Sequence, residues 1–123
     1  FSLRTTEAEV EVQLALTLAQ ELNMKNEQGA ALRVRGELAL SQKNATAALE
    51  ALMASESLLA EVADDYELAR TRVLLGRALA QLNRSTEARA AFEAAIATFA
   101  RLEAKNDLLV AQILRSQLTE APH

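Results

Sequence analysis

At 123 residues the chain is one compact unit, long enough to bury about two-thirds of its unfolded surface. Half of it is hydrophobic, mostly Ala and Leu, with no Cys, and its aromatic residues are Phe1, Tyr66, Phe92 and Phe99. Disulfides and thiolate metal sites are thereby excluded, and no apolar run nears the roughly 18 residues a bilayer span needs.

Ala and Leu lead the helix propensities, and with three Gly and one Pro nothing punctuates the chain into strands. Thr6, with Glu9 three residues on, reads as a capping box opening a first helix near 6–24. Its stripe Ala8, Val12, Ala15, Ala19 and Leu22 lies on one helical face. A second helix near 27–42 carries Ala31, Val34 and Leu38. Asn44 precedes a third near 45–62, with Ala48, Leu52, Ser55, Leu59 and Val62. Asp64 or Asp65 opens a fourth near 66–82, with Thr71, Leu74 and Ala78. Ser85 or Thr86 opens a fifth near 86–104, with Ala88, Phe92, Ala95, Phe99 and Leu102. Asn106 or Asp107 opens a sixth near 107–119, with Ala111, Leu114 and Leu118, ending near Pro122.

A shift of 40 residues brings these stripes into register and lays Gly36 on Gly76. Such a period marks a repeat array. Short connections make neighbouring helices antiparallel, and pairs that cannot bury both apolar faces alone stack into an all-α solenoid. The division is a partial repeat at 1–25, repeats at 27–65 and 66–105, and a partial repeat at 106–120, in a single domain over 1–123. Phe1 in place of an initiator Met makes a fragment of a longer protein the expectation. The alternative architecture is a plain up-and-down bundle, whose helices need share no period.

Catalytic chemistry has little to stand on. The sole His is His123, so no His-based general base or metal cluster is expected. Gly29, Gly36 and Gly76 are scattered and form no phosphate-cradling loop. Ser41, Ser55, Ser57 and Ser116 have no adjacent base. No enzyme, cofactor or metal is expected, and no membrane segment. Without a signal-peptide pattern the expected location is cytoplasmic. Nucleic acid is a poor partner for a chain of net charge −4 whose basic residues are not interleaved with aromatic ones.

Residues 69–100 carry Leu75-Gly76, Leu79, Ala88, Phe92 and Ala95, and this pattern resembles the tetratricopeptide repeat signature W-x2-L-G-x2-Y, A-x3-F, P. Residues 29–60 follow it more loosely, through Gly36, Ala39, Ala48 and Leu52. The sequence departs at Arg72, where the signature has Trp, at Arg35, where it has Leu, and at Ala60 and Ala100, where it has Pro. The period is also longer than the family's roughly 34 residues. Stretched repeats of this kind are similar to those of large bacterial multidomain regulators.

The resemblance implies that first helices of each pair line a concave groove that grips peptides. By position that groove presents Arg33, Glu37, Arg70, Val73, Arg77, Gln81, Val110, Ile113 and Gln117. Charge supports the placement, because residues 66–84 hold four arginines against Glu67, whereas 44–65 hold five acids and no base. Arginine forks pair bidentately with carboxylates, so the expected partner is a protein or peptide, acidic or mixed in charge. Alternatively, these arginines bridge to acidic second helices of neighbouring repeats. A homo-oligomer formed through exposed repeat ends, or an intramolecular sensor of a regulator, is the rival function.

Overall fold

The structure, a computed structural model, describes residues 3–118. Over these described residues it is an all-α array of six helices, each packed on its neighbours in sequence. These are α1 (Leu3–Glu21), α2 (Lys25–Ser41), α3 (Ala45–Glu61), α4 (Asp65–Gln81), α5 (Ser85–Arg101) and α6 (Lys105–Ser116). The expected ending near Pro122, and His123, lie outside the described residues.

Two of the expected caps are in place. The Asn44 side chain accepts from the Ala47 amide at 3.1 Å, and that of Asp64 from the Glu67 amide at 3.3 Å. The other boundaries fall earlier than the sequence indicates. Helix α1 already begins at Leu3, so Thr6 lies inside it rather than capping it. Arg84, not Ser85 or Thr86, occupies the cap of α5, and Ala104, not Asn106 or Asp107, that of α6.

The reason is the turn, which is the same at all five connections. Asn23, Lys43, Ala63, Asn83 and Glu103 stand 20 residues apart, each with φ between 54° and 60°. The next residue donates its amide back across the turn, as Asn44 does to Ala39 at 2.8 Å and Ala104 to Phe99 at 2.9 Å. That is the Schellman closure of a helix C-terminus. The same residue's carbonyl then accepts the first bond of the following helix, as Asn44 does from Ala48 at 3.0 Å. One residue thus ends one helix and starts the next, fixing a half-repeat of 20 residues.

Glycine occupies none of these left-handed positions, although a side chain there costs about 1–2 kcal/mol. Ala63→Gly and Glu103→Gly should therefore each raise the unfolding free energy by about 1 kcal/mol. Urea denaturation monitored by circular dichroism measures it, and no gain at either site would show the turns to be unstrained.

The three glycines instead serve helix packing. A Cβ on Gly36 would lie 2.5 Å from the Leu52 side chain, one on Gly29 2.7 Å from Leu59, and one on Gly76 would run into the Phe92 ring. Gly36 with Leu52 and Gly76 with Phe92 are the same contact one repeat apart. Between α2, α3 and α4 the buried Ser55 hydroxyl donates to the Gly29 carbonyl at 2.7 Å and shares a hydrogen bond with Thr71 at 3.2 Å. These partners remove the penalty of burying two hydroxyls.

The rows of helices are unequal. Helix α2 also touches α4, and α4 touches α6, whereas α1 and α3, like α3 and α5, make no backbone contact. Even-numbered helices therefore form a close inner row and odd-numbered helices splay outside it, bending the array toward the even side. Among the described residues no helix is long and apolar enough to cross a membrane.

Candidate functional site

The inner row places α2, α4 and α6 side by side, and every residue expected in the groove lies on them or directly after α6. A groove of about 240 Å³ there is lined by Arg33, Glu37, Arg70, Val73, Leu74, Phe99, Asn106, Asp107 and Val110. It gathers five of the expected residues: Arg33, Glu37, Arg70, Val73 and Val110. Arg77, Gln81, Ile113 and Gln117 are exposed farther along the same helices and do not line it.

A chain of polar contacts crosses the groove. Arg33 on α2 donates from Nε to Glu67 Oε2 at 3.2 Å and from Nη1 to Glu37 on its own helix. Glu67 on α4 accepts through its other oxygen from Arg70 Nη1 at 2.9 Å. One carboxylate therefore holds two arginines from two helices. The Arg70 guanidinium carbon lies 5.8 Å from the centre of the Tyr66 ring, within cation–π range. Tyr66 meets Phe99 edge-on at 6.0 Å, and its hydroxyl donates to Asp107 Oδ2 on α6 at 2.9 Å.

The alternative role for the arginines is realised in part. Arg72 does bridge to an acidic second helix, through Glu56 at 3.1 Å. Arg33 and Arg70 find their counter-charge on a first helix instead. Arg77 is exposed and forms no ion pair among the described residues. The groove is thus mixed in charge, and an available cation, Arg77, lies beyond it along α4.

Tyr66, Glu67 and Asp107 complete the site without having been expected there. The readable signal is spacing: Glu67 and Arg70 stand at i, i+3 and Arg33 and Glu37 at i, i+4, both of which pair on a helix surface. Tyr66 lies four residues before Arg70 on the same face.

The Asp107 hydrogen bond, with a smaller push from partial burial, holds the Tyr66 phenol above its ordinary value of 10.0. Because folding favours the neutral phenol, its contribution is present below the unfolded value and lost as pH rises through the folded one. Tyr66 is the only tyrosine, so its ultraviolet titration reports this group alone. The midpoint should lie above that of the unfolded chain and fall in Asp107→Ala. Coincident midpoints would remove the hydrogen bond.

Larger hollows lie on the outer row. One of about 470 Å³ runs between α3 and α5, lined in part by Arg72, Leu75, Leu79 and Ala91. Another of about 350 Å³ uses the residues 40 positions earlier, Leu32, Arg35, Ala39 and Ala51. Both follow from the splay of the odd helices. The inner groove differs in joining the aromatic ring of Phe99 on α5 to charged and apolar groups from α2, α4 and α6. The chain matches no protein-family model, no curated protein and no solved structure.

Proposed function

We propose that this chain is a cytoplasmic, non-catalytic tetratricopeptide-like module that binds a peptide, or a segment of a sister domain, along its inner row of helices. The observation that carries this reading is the convergence of α2, α4 and α6 on one groove. Its walls offer fixed charges beside apolar Val73 and Val110. Since Arg33 and Arg70 already hold carboxylates, the ligand that fits is mixed in charge rather than uniformly acidic. It places an apolar side chain against Val73 and Val110 and a carboxylate near Arg77. A fully desolvated charge pair of that kind matters by about 2–5 kcal/mol on truncation, and a rim pair by far less.

The test is selection from a displayed peptide library with wild type and an Arg77→Glu/Val110→Glu variant. Both positions are exposed, so the fold should survive. Wild type should enrich peptides pairing an apolar with an acidic residue, with binding that weakens as salt rises, and the variant should not. No enrichment, or equal enrichment by the variant, rejects the groove.

A further inference from the structure

We infer that two copies of this chain pair through the outer groove between α3 and α5, facing each other across a two-fold axis perpendicular to those helices. The array carries its own comparison. A hollow between α1 and α3 recurs, 40 residues on, between α3 and α5. In the first, Arg35 donates from Nη2 to Gln13 Oε1, and Gln42 from Nε2 to Glu9 Oε1 at 2.9 Å. Side chains of α1 and α2 thus reach across it and satisfy one another. The corresponding positions of the second hold Leu75, Met53, Leu82 and Leu49. These apolar side chains cannot do the same, and Leu49, Met53 and Leu75 border an open groove of about 470 Å³.

The same face carries a projection beside this recess. Met53, on the α3 rim, is 55% exposed. Across from it, Ala90 and Ala94 on α5 are too short to fill the space. A contact between identical surfaces needs both features on one face, since residue i of each copy meets residue j of the other. Met53 of each copy enters the recess of the other and lies over Leu79 on its floor. Its unbranched thioether suits an irregular cavity of this kind.

Charge selects a second copy as the occupant. The groove has an ion pair toward each end: Arg84 with Glu87 at 2.7 Å, at the start of α5, and Arg72 with Glu56 at 3.1 Å, in the second half of α3. Successive helices are antiparallel, so α3 and α5 run in the same direction. The two-fold axis therefore lays the Arg84 end of one copy over the Glu56 end of the other. Arg84 then faces Glu56, Glu87 faces Arg72, and each pair meets its opposite. A uniformly acidic or basic partner would instead set a like charge against one member of each pair, which costs affinity. The groove itself is neutral in a chain of net charge −4, so two copies meet there without net repulsion. Because the contact uses the outer row, the inner groove of each copy stays open.

Sedimentation equilibrium of the purified chain over a concentration series tests this. The mass should rise with concentration and level at twice that of one chain. Met53→Glu, at an exposed position where circular dichroism should show an unchanged fold, should stay monomeric. Arg84→Glu and Glu56→Arg should each raise the dimer dissociation constant by about tenfold or more, since each sets like charges together at two symmetric places. Combining them restores opposite charges across the axis and should recover the tighter dimer, which a merely structural role of either residue would not do. A wild type that is monomeric throughout overturns the proposal, as does a mass that climbs past the dimer. So does a Met53→Glu variant that pairs like wild type, or a double variant that pairs no better than the single ones.

Discussion

Phe92→Ala is expected to lower the unfolding free energy by about 3–5 kcal/mol, a large share of the roughly 5–15 kcal/mol available to a domain of ordinary stability. The ring is 1% exposed and clusters with Leu79 and Ala88. Its seat is Gly76, whose missing side chain lets the ring lie against the α4 backbone. A helix backbone cannot collapse into the void, so little of the lost contact is recovered on that side. Gly76→Leu should cost about 1–3 kcal/mol by overpacking the same contact. The double variant should cost less than the sum of the two, because the new leucine enters space vacated by the ring. Urea denaturation by circular dichroism decides both. A Phe92→Ala midpoint equal to wild type would mean that the ring does not hold α4 to α5.

That pair of residues also shows how far the array is legible in the sequence. Gly36 and Gly76, with Leu52 and Phe92 sixteen residues after each, mark the repeat because close helix approach demands a missing side chain opposite a large one. The 40-residue period follows from such positions. The 20-residue half-period is harder to read, because the left-handed turn position holds Asn, Lys, Ala, Asn and Glu in succession. Without glycine there, the caps seem to start at the first Ser, Asp or Asn downstream. Only Asn44 and Asp64, which combine a capping side chain with the right turn position, are correctly readable.

The groove is legible in outline for a related reason. Helical spacing places Arg33, Arg70 and Val73 on first helices, the tetratricopeptide resemblance implies that such helices line a groove, and the structure brings these residues together with Val110. Partner choice needs three dimensions. Acids crowd the second helices, yet Glu67, nearly alone among the α4 bases, is the carboxylate that reaches Arg33 and Arg70 together. Composition counts charges along the chain, whereas pairing depends on which side chains the inner row brings within reach.

Arg33→Ala is expected to destabilise the fold, and Arg77→Ala is not. The Arg33 side chain is 11% exposed and contacts two carboxylates, one of which, on Glu67, is 23% exposed. Exposed ion pairs are worth about 0–1 kcal/mol, whereas breaking a fully buried one costs about 3–5 kcal/mol. Arg33 with Glu67 lies between these limits, and Glu67 keeps Arg70 when Arg33 is removed, so a loss of about 1–3 kcal/mol follows. Arg77, exposed and without an ion pair among the described residues, should stay within about 0.5 kcal/mol of wild type. A double-mutant cycle of Arg33→Ala with Glu67→Ala separates charge from packing. Coupling of about 0.5–3 kcal/mol would place the effect in the ion pair. Coupling near zero would assign it to the apolar stem of Arg33, which packs whether or not the carboxylate is present. The distinction governs how binding data are read: weakened peptide binding in an Arg33 variant mixes a loosened α2–α4 contact with a lost ligand contact. The same loss in an Arg77 variant of wild-type stability comes from the ligand contact alone.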